Sequence, residues 1–381
     1  MRLKDRTLSA NTGLDAIKRA PIVEYDTGLK CIRIQDISQG KIYDEWGFTE
    51  TNEKDRKKFL LKKNDLLIAR TGATVGVSQF IKEDTEAVYN NGTIRLRLEK
   101  SLNPRFVYYI FQTKGFLQYI DNISCVATQP NLRIEGLLRF TIPDYSIEKQ
   151  NAIVKTLSTF DDLIENNNKR IKLLEQIAEN LYKEWFVRFR FPGYEDVEFE
   201  NGLPKEWKIC RIDQLSKIKA GGDAPDDSTK EVTNECSIPI YSNGIENEGL
   251  YGYTSKAKIN KPSISISARG TVGYTCLRRI PYTPIVRLIC IIPHENKLAN
   301  WLFYYFKRTI VIASGTSQQQ ITIPMMSREK VLLPTNDLIQ KFYEYSTCYL
   351  DEIDSLKAQN SNLEKQRDLL LPRLISGKLE V

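Results

Sequence analysis

The sequence predicts an α+β protein: two similar mixed α/β domains separated by two long helices, which pair as an antiparallel coiled coil within one chain and relate the halves by a pseudo-twofold axis. Three observations predict it. The stretch from Ser146 to Phe186 places Ile153, Leu157, Phe160, Ile164, Asn167, Ile171, Leu174, Ala178, Leu181 and Trp185 at alternating steps of four and three. This is a heptad seam with one polar seat, the signature of a helix that keeps one stripe against a partner helix. A second copy closes the chain: laying Leu174-Glu175 on Leu363-Glu364 and Asp162 on Asp351 brings the seam onto Tyr349, Ile353, Leu356, Asn360, Leu363, Arg367, Leu370 and Leu374. Between the two helices, short motifs of the first half recur in the same order. Gly28–Gly40 has a counterpart in Cys236–Gly249, Thr74-Val75-Gly76 in Thr271-Val272-Gly273, Phe106–Ile110 in Leu302–Phe306, and Gln129-Pro130-Asn131-Leu132 in Gln318-Gln319-Gln320-Ile321.

Taken in order, residues 1–145 read as a first domain. Lys30–Ile37, Asp65–Ala69, Gly76–Ile81 and Thr93–Leu98 are rich in branched residues and bounded by Gly, Asn or Asp, as strands joined by turns are. Pro104–Thr113 reads as a helix buried on more than one face. Residues 146–190 form the first long helix, with Ser146 as its N-cap and Phe191-Pro192-Gly193 as its stop. An acidic connector spans 191–207, a second domain 208–334, and the second long helix 335–381, with Pro372 expected to bend or end it before Ser376-Gly377. At about 1.5 Å per residue, the seam from Ile153 to Trp185 is about 50 Å long. Antiparallel packing is favoured because the connector must link the far end of one helix to a whole domain whose own exit starts the next. Asn167 and Asn360 are candidates for fixing the register.

The 381 residues carry 55 Lys plus Arg against 48 Asp plus Glu, an excess of seven that permits an anionic partner without demanding one. Seven cysteines, at 31, 125, 210, 236, 276, 290 and 348, are scattered in a way that fits neither a zinc cage nor a disulfide framework. No run approaches the roughly 18 apolar residues of a membrane span, and MRLKDRTLSA lacks a signal-peptide core, so a cytoplasmic protein is expected.

Catalytic signatures are absent. The lone His294 sits in a Pro-bounded loop with neither ligand spacing nor a nucleophile beside it. GATVG and RGTVG lack the GK[ST] ending of a phosphate-cradling loop. Asn103-Pro104-Arg105-Phe106 is superficially similar to the Asn-Pro-Pro-aromatic motif of amino-methylating DNA methyltransferases, but Arg105 replaces the second Pro and the stretch reads as a helix start. Asp226-Asp227 is an unsurprising acidic pair. The chain does carry residues suited to an extended anion. Lys62, Lys63, Arg70, Thr71 and Thr74 are placed around the first Thr-Val-Gly turn, and Ser265, Ser267, Arg269, Gly270 and Thr271 around the second. A glycine turn with hydroxyls and a guanidinium can bring N–H groups and a forked cation onto phosphates or base edges. The amides of Asn243, Gln318, Gln319 and Gln320 suit adenine edges. The expected seam of the paired helices runs through Phe160, Ile164, Ile171, Leu174, Leu181, Ile353, Leu356, Leu363 and Leu370.

These residues resemble the specificity subunit of Type I restriction-modification systems. The motif Gly-Leu-Pro-x-x-Trp opens the second half as Gly202-Leu203-Pro204-Lys205-Glu206-Trp207, with Ile266–Gly273 (ISARGTVG), the glutamine turn before each helix and the ending Leu370–Val381 also similar. The first half departs from this pattern: it has no Leu-Pro-x-x-Trp, starts almost at TLSANTG, and its turn reads RTGATVG. The resemblance implies two target-recognition domains, each reading one half of a split double-stranded DNA target through the major groove. The helix pair would then set the gap, about a turn of DNA at ~34 Å. It also implies docking to two modification (methyltransferase) subunits and, through them, to restriction (motor-nuclease) subunits. The chain itself would hold no cofactor or metal, with S-adenosylmethionine, ATP and magnesium on those partners. A self-contained methyltransferase or nuclease with unrecognised motifs, and a coiled-coil scaffold without a nucleic-acid role, remain open at this level.

Overall fold

Alternating branched residues bounded by turn formers lay down the first sheet of the chain. The computed structural model describes residues 1–124, 131–313 and 321–380, with side chains at 310–313 left out. Two compact units result, residues 1–166 with 359–381 and residues 167–358, so each long helix contributes to both.

In chain order the first unit contains β1 (Thr7–Thr12), β2 (Ile22–Val23), β3 (Lys30–Ile32), α1 (Ile34–Ser38), β4 (Gly47–Thr49), α2 (Glu53–Phe59), β5 (Leu66–Ala69), β6 (Ser78–Phe80), β7 (Ala87–Tyr89), β8 (Thr93–Leu98), α3 (Pro104–Phe111), α4 (Lys114–Ser124) and α5 (Ile134–Leu138). The long helix α6 (Ile147–Phe186) follows. One sheet runs β1-β8-β5-β6 and the other β2-β4-β3-β7, with β3 and β7 parallel. The strand expected over Lys30–Ile37 stops at Ile32. The Asp36 carboxylate accepts from the Arg33 N–H at 2.9 Å, a capping contact that turns the chain into α1. α3 is N-capped by Asn103, whose Oδ1 accepts from Arg105 N at 2.9 Å. Phe106, Val107, Tyr109, Ile110 and Phe111 on α3 are all buried.

The second unit contains β9 (Phe199–Glu200), β10 (Leu203–Pro204), β11 (Lys208–Arg211), α7 (Ile212–Leu215), β12 (Ser216–Ala220), β13 (Ile238–Tyr241), β14 (Leu250–Thr254), β15 (Ser263–Ile266), β16 (Thr275–Arg278), β17 (Thr283–Pro284), β18 (Ile289–Pro293), α8 (Leu298–Ala313), α9 (Ile323–Arg328), β19 (Lys330–Leu333) and the long helix α10 (Asn336–Ile375). Its main sheet, β12-β18-β15-β16, repeats the order of the first. Its second sheet, β14-β13-β17, again has a parallel pair, β13 with β17. The register makes the correspondence explicit: Leu66 pairs with Leu96 as Ile264 pairs with Ile291, and Ala10 pairs with Leu96 as Ile218 pairs with Ile291.

Within each unit the two helix segments run antiparallel. In the first, Ile153 and Leu157 of α6 share a core with Leu371, Leu374 and Ile375 of α10, and the Arg367 guanidinium meets Asp161 at 2.9 Å. In the second, Arg170 meets Glu352 at 2.5 Å, while Tyr182, Trp185 and Phe186 pack on Phe342. Phe160, Ile164, Ile171, Leu174, Leu181, Leu363 and Leu370 are half-buried, and Ile353 and Leu356 are buried. Asn167 and Asn360 are buried and each has a partner.

The helix expected to reach Arg190 ends at Phe186. The N–H groups of Val187 and Arg188 both bond to Lys183 O, and Phe189 is left-handed at φ 57°. This turn delivers Phe189 and Phe191 onto Trp207, so aromatic packing stops the helix before Pro192 is reached. The connector 191–207 is therefore partly core: it carries the β9–β10 pair and buries Phe191 and Trp207. At the other end, α10 continues through Pro372 to Ile375 and ends immediately before Ser376-Gly377, with Gly377 left-handed at φ 72°. No helix among the described residues is long and apolar enough to cross a membrane.

Candidate nucleic-acid interface

In the second unit the turn from β15 to β16 is closed by Gly273 N to Ser267 O at 2.8 Å and Tyr274 N to Thr271 O at 3.1 Å. Gly270 and Gly273 sit at φ 71° and 89°, a conformation glycine adopts without strain. The turn buries Ser267 and exposes Arg269, Gly270 and Thr271. Asn243 clamps it to a neighbouring loop: its Oδ1 accepts from Ala268 N at 2.8 Å, and its Nδ2 donates to Val286 O at 2.7 Å. The sequence offered Asn243 as a base-reading amide; in the fold one acceptor and one donor position of that amide are used to fasten two loops. The loop it holds places Val286 and Arg287 in left-handed conformations, both exposed, tied by N–H bonds to Gly222 O and Gly221 O at 2.8 and 3.0 Å. Arg287 thus joins Arg269 on the clamped pair of loops, a neighbour that no periodicity or motif in the sequence signals. Among the described residues no carboxylate lies within salt-bridge distance of either.

Behind these loops sits Arg278. Its guanidinium lies 3.6 Å from the Tyr241 ring centroid, donates to Ser265 Oγ at 2.9 Å, and reaches Glu248 at 3.4 Å. Glu248 in turn accepts from Lys357 of α10 at 2.9 Å. The loop leaving Asn243 is thereby fixed both to the sheet and to the long helix.

The first unit builds the matching turn differently. The register of β5 with β6 against that of β15 with β16 shows its turn to be one residue longer. Arg70 consequently corresponds to Ala268: Leu132 N bonds to Arg70 O at 2.7 Å as Ile321 N does to Ala268 O at 3.3 Å. The Arg70 guanidinium turns back to Asn131 Oδ1 at 3.0 Å, and its buried Nε has no hydrogen-bond partner. Thr71 and Thr74 are half-buried, so this turn presents less charge outward than the second.

Lys62 and Lys63 are not beside that turn. They precede β5 and Arg70 follows it, so the four-residue strand, roughly 13 Å long at about 3.3 Å per residue, lies between them. Their side chains line a cavity of about 560 Å³ shared with Asp65, Arg97, Glu99 and Lys100. Gln318, Gln319 and Gln320 lie outside the described residues. Among the described residues no group of three or more His, Cys, Asp or Glu side chains is placed to hold a metal ion.

Two units that repeat one four-stranded sheet order, each presenting a glycine turn with an arginine and each built onto both of two long helices, define a protein of paired recognition modules. The type I restriction modification DNA specificity domain matches twice, over residues 24–176 and 204–365, and the chain belongs to that family. It is 27% identical over 365 residues to the type I restriction enzyme MjaIX specificity subunit of Methanocaldococcus jannaschii, covering 88% of this chain and 82% of that protein. It is 23% identical to the HindI specificity subunit of Haemophilus influenzae, covering 86% and 90%. The fold is similar to the crystal structure of a type I restriction-modification S subunit from M. genitalium, with a TM-score of 0.60 at 19% identity over 98% of this chain and 95% of that one.

Proposed function

We propose that this chain is the DNA-reading, non-catalytic subunit of a cytoplasmic type I restriction-modification complex. Each unit reads one half of a bipartite target, and the paired helices set the gap and dock two modification subunits, which carry restriction subunits. S-adenosylmethionine, ATP and magnesium are assigned to those partners. Within the second unit Arg269, Gly270 and Thr271 approach the bases and Arg287 the adjoining phosphates, while Asn243 holds the two loops together. In the first unit Arg70, Thr71 and Thr74 take the corresponding place, with Lys62 and Lys63 as backbone contacts away from the turn.

The observation that carries this reading is the repeated sheet, with an arginine-bearing glycine turn in each copy, in a chain whose family is defined by DNA specificity. Mapping modified adenines genome-wide in a strain carrying the chain and its partners tests it. The expected pattern is a two-part motif with a fixed gap, and replacing residues 1–145 by another member's domain alters one part only. A single contiguous motif, or alteration of both parts, would overturn it.

A further inference from the structure

The matching cavities of the two units differ in charge. In the second unit, Lys217 and Lys219 stand two residues apart on the edge strand β12, on the face opposite Ser216 and Ile218. The loop ahead of β15 is pinned by the pairing of Ile259 with Tyr282, N to O at 3.0 Å in both directions; burial of Ile259 leaves Lys258 and Asn260 outward. Lys217, Lys219, Lys258, Asn260, Lys261 and the only histidine, His294, line a cavity of about 370 Å³. All six side chains are solvent-accessible, and the lining contains no carboxylate. Among the described residues none of the four ammonium groups is in a salt bridge.

The register identifies the same place in the first unit. Lys63 matches Lys261, Asp65 matches Ser263 and Glu99 matches His294. There carboxylates enter the lining: Asp65 holds Arg97 at 2.6 Å and Glu99 holds the nearby Arg6 at 3.3 Å. One unit therefore has a cavity whose charged lining groups are cations alone where the other sets two carboxylates, Asp65 and Glu99, among its cations.

We propose that the lysine cavity of the second unit is a phosphate site that grips the sugar-phosphate backbone of duplex DNA, away from the bases read at the Arg269 turn. Four ammonium groups are point charges without the forked geometry of base recognition, suited to phosphates regardless of sequence. Ile259 and Pro293 are buried and Ile292 is half-buried, so the exposed side chains of the lining are the four lysines, Asn260 and His294. The inference rests on the DNA-recognition reading but is tested on DNA of any sequence.

The test replaces Lys217, Lys219, Lys258 and Lys261 by Gln in the full-length chain and measures affinity for an unrelated duplex and for the target duplex across a salt series. The slope of log affinity against log salt should fall by about 0.9 for each phosphate that is no longer neutralised, so by about 0.9 to 3.6 in total, and equally for both duplexes. Lys62→Gln with Lys63→Gln should change the slope less, and His294→Glu, which installs the first unit's carboxylate, should reproduce part of the loss. The single His294 imidazole resonance should shift on adding the unrelated duplex and stay put with inorganic phosphate. An unchanged slope overturns the proposal. So does a variant that binds DNA normally but fails to assemble with modification subunits, which would assign the cavity to an acidic protein surface. An equal His294 shift with inorganic phosphate would make it a free-anion site and overturn it too. Unaltered salt behaviour in the variant alongside intact target preference rejects only the cavity; absence of target preference in the wild type rejects the recognition reading instead.

Discussion

The two units share their attachments to the long helices and differ in where they put charge. In the first, Lys82, just past β6, meets Asp162 at 3.5 Å and also Glu165 of α6. In the second, Arg279, just past β16, meets Asp354 at 2.5 Å and also Asp351 of α10. The same hairpin end is tied to the same two helix positions in each copy. The polar interior is not copied. The first unit buries Arg95 within 5.0 Å of the Tyr89 ring, near Asp65; the second has Cys290 and Ser263 at those places and buries Arg278 on a different strand instead. A duplicated frame with independent charge is what two readers of unlike half-sites require, because the frame sets position while the loops set preference.

The largest expected effect probes whether the units are packed independently. Phe342→Ala empties the fully buried centre of the second unit's aromatic cluster and should cost about 3–5 kcal/mol. Hydrogen exchange in β15 and β18 should accelerate while β5 and β8 stay protected; equal acceleration in both sheets would break the comparison. Next, Arg269→Ala should weaken binding by about 1–3 kcal/mol and relax one half-site only. Arg70→Ala should do less at the other half-site, since its guanidinium is already turned to Asn131.

A pH titration sharpens the contrast between the linkers that precede the second sheets. Asp227 accepts from the Ser255 hydroxyl and N–H and from Thr254 Oγ1, which hold its carboxyl down at about 2 against an ordinary 3.8. A carboxylate depressed on folding contributes fully above its ordinary value and loses that contribution as pH falls through about 2. Asp227→Asn should therefore flatten the acid limb of the stability curve between roughly pH 4 and 2. Asp15, lowered by the N–H groups of Lys18 and Ile17, should act in the same direction in the first unit. Smallest of all, Lys82→Gln and Arg279→Gln should each cost at most about 1 kcal/mol in urea unfolding, because the carboxylate of each pair is exposed to solvent. A loss of several kcal/mol from either would mean that the attachment is a buried anchor after all.

Much of the frame was legible in consecutive residues. Thr93–Leu98 is a strand, Asn103-Pro104 starts a helix, and the repeated Thr-Val-Gly turns fall at equivalent places. The early end of α6 was not legible, because Phe189 and Phe191 leave the helix to reach Trp207, a contact that only the folded chain makes. Lys62 and Lys63 are near Arg70 in sequence and far from it along an extended strand. Arg287 and the four lysines carry no motif at all.

The sequence by itself determined the two rods and the duplication, since a 3.5-residue period and glycines held at positive φ are local requirements written in consecutive residues. Only the tertiary structure decided which charges are free. Asn243, Arg278 and Asp65 are spent on partners many residues away, while Lys217 and Lys261 meet in one cavity without an acid beside them. Whether a charged side chain is paired depends on what distant strands bring alongside it, and no local pattern encodes that.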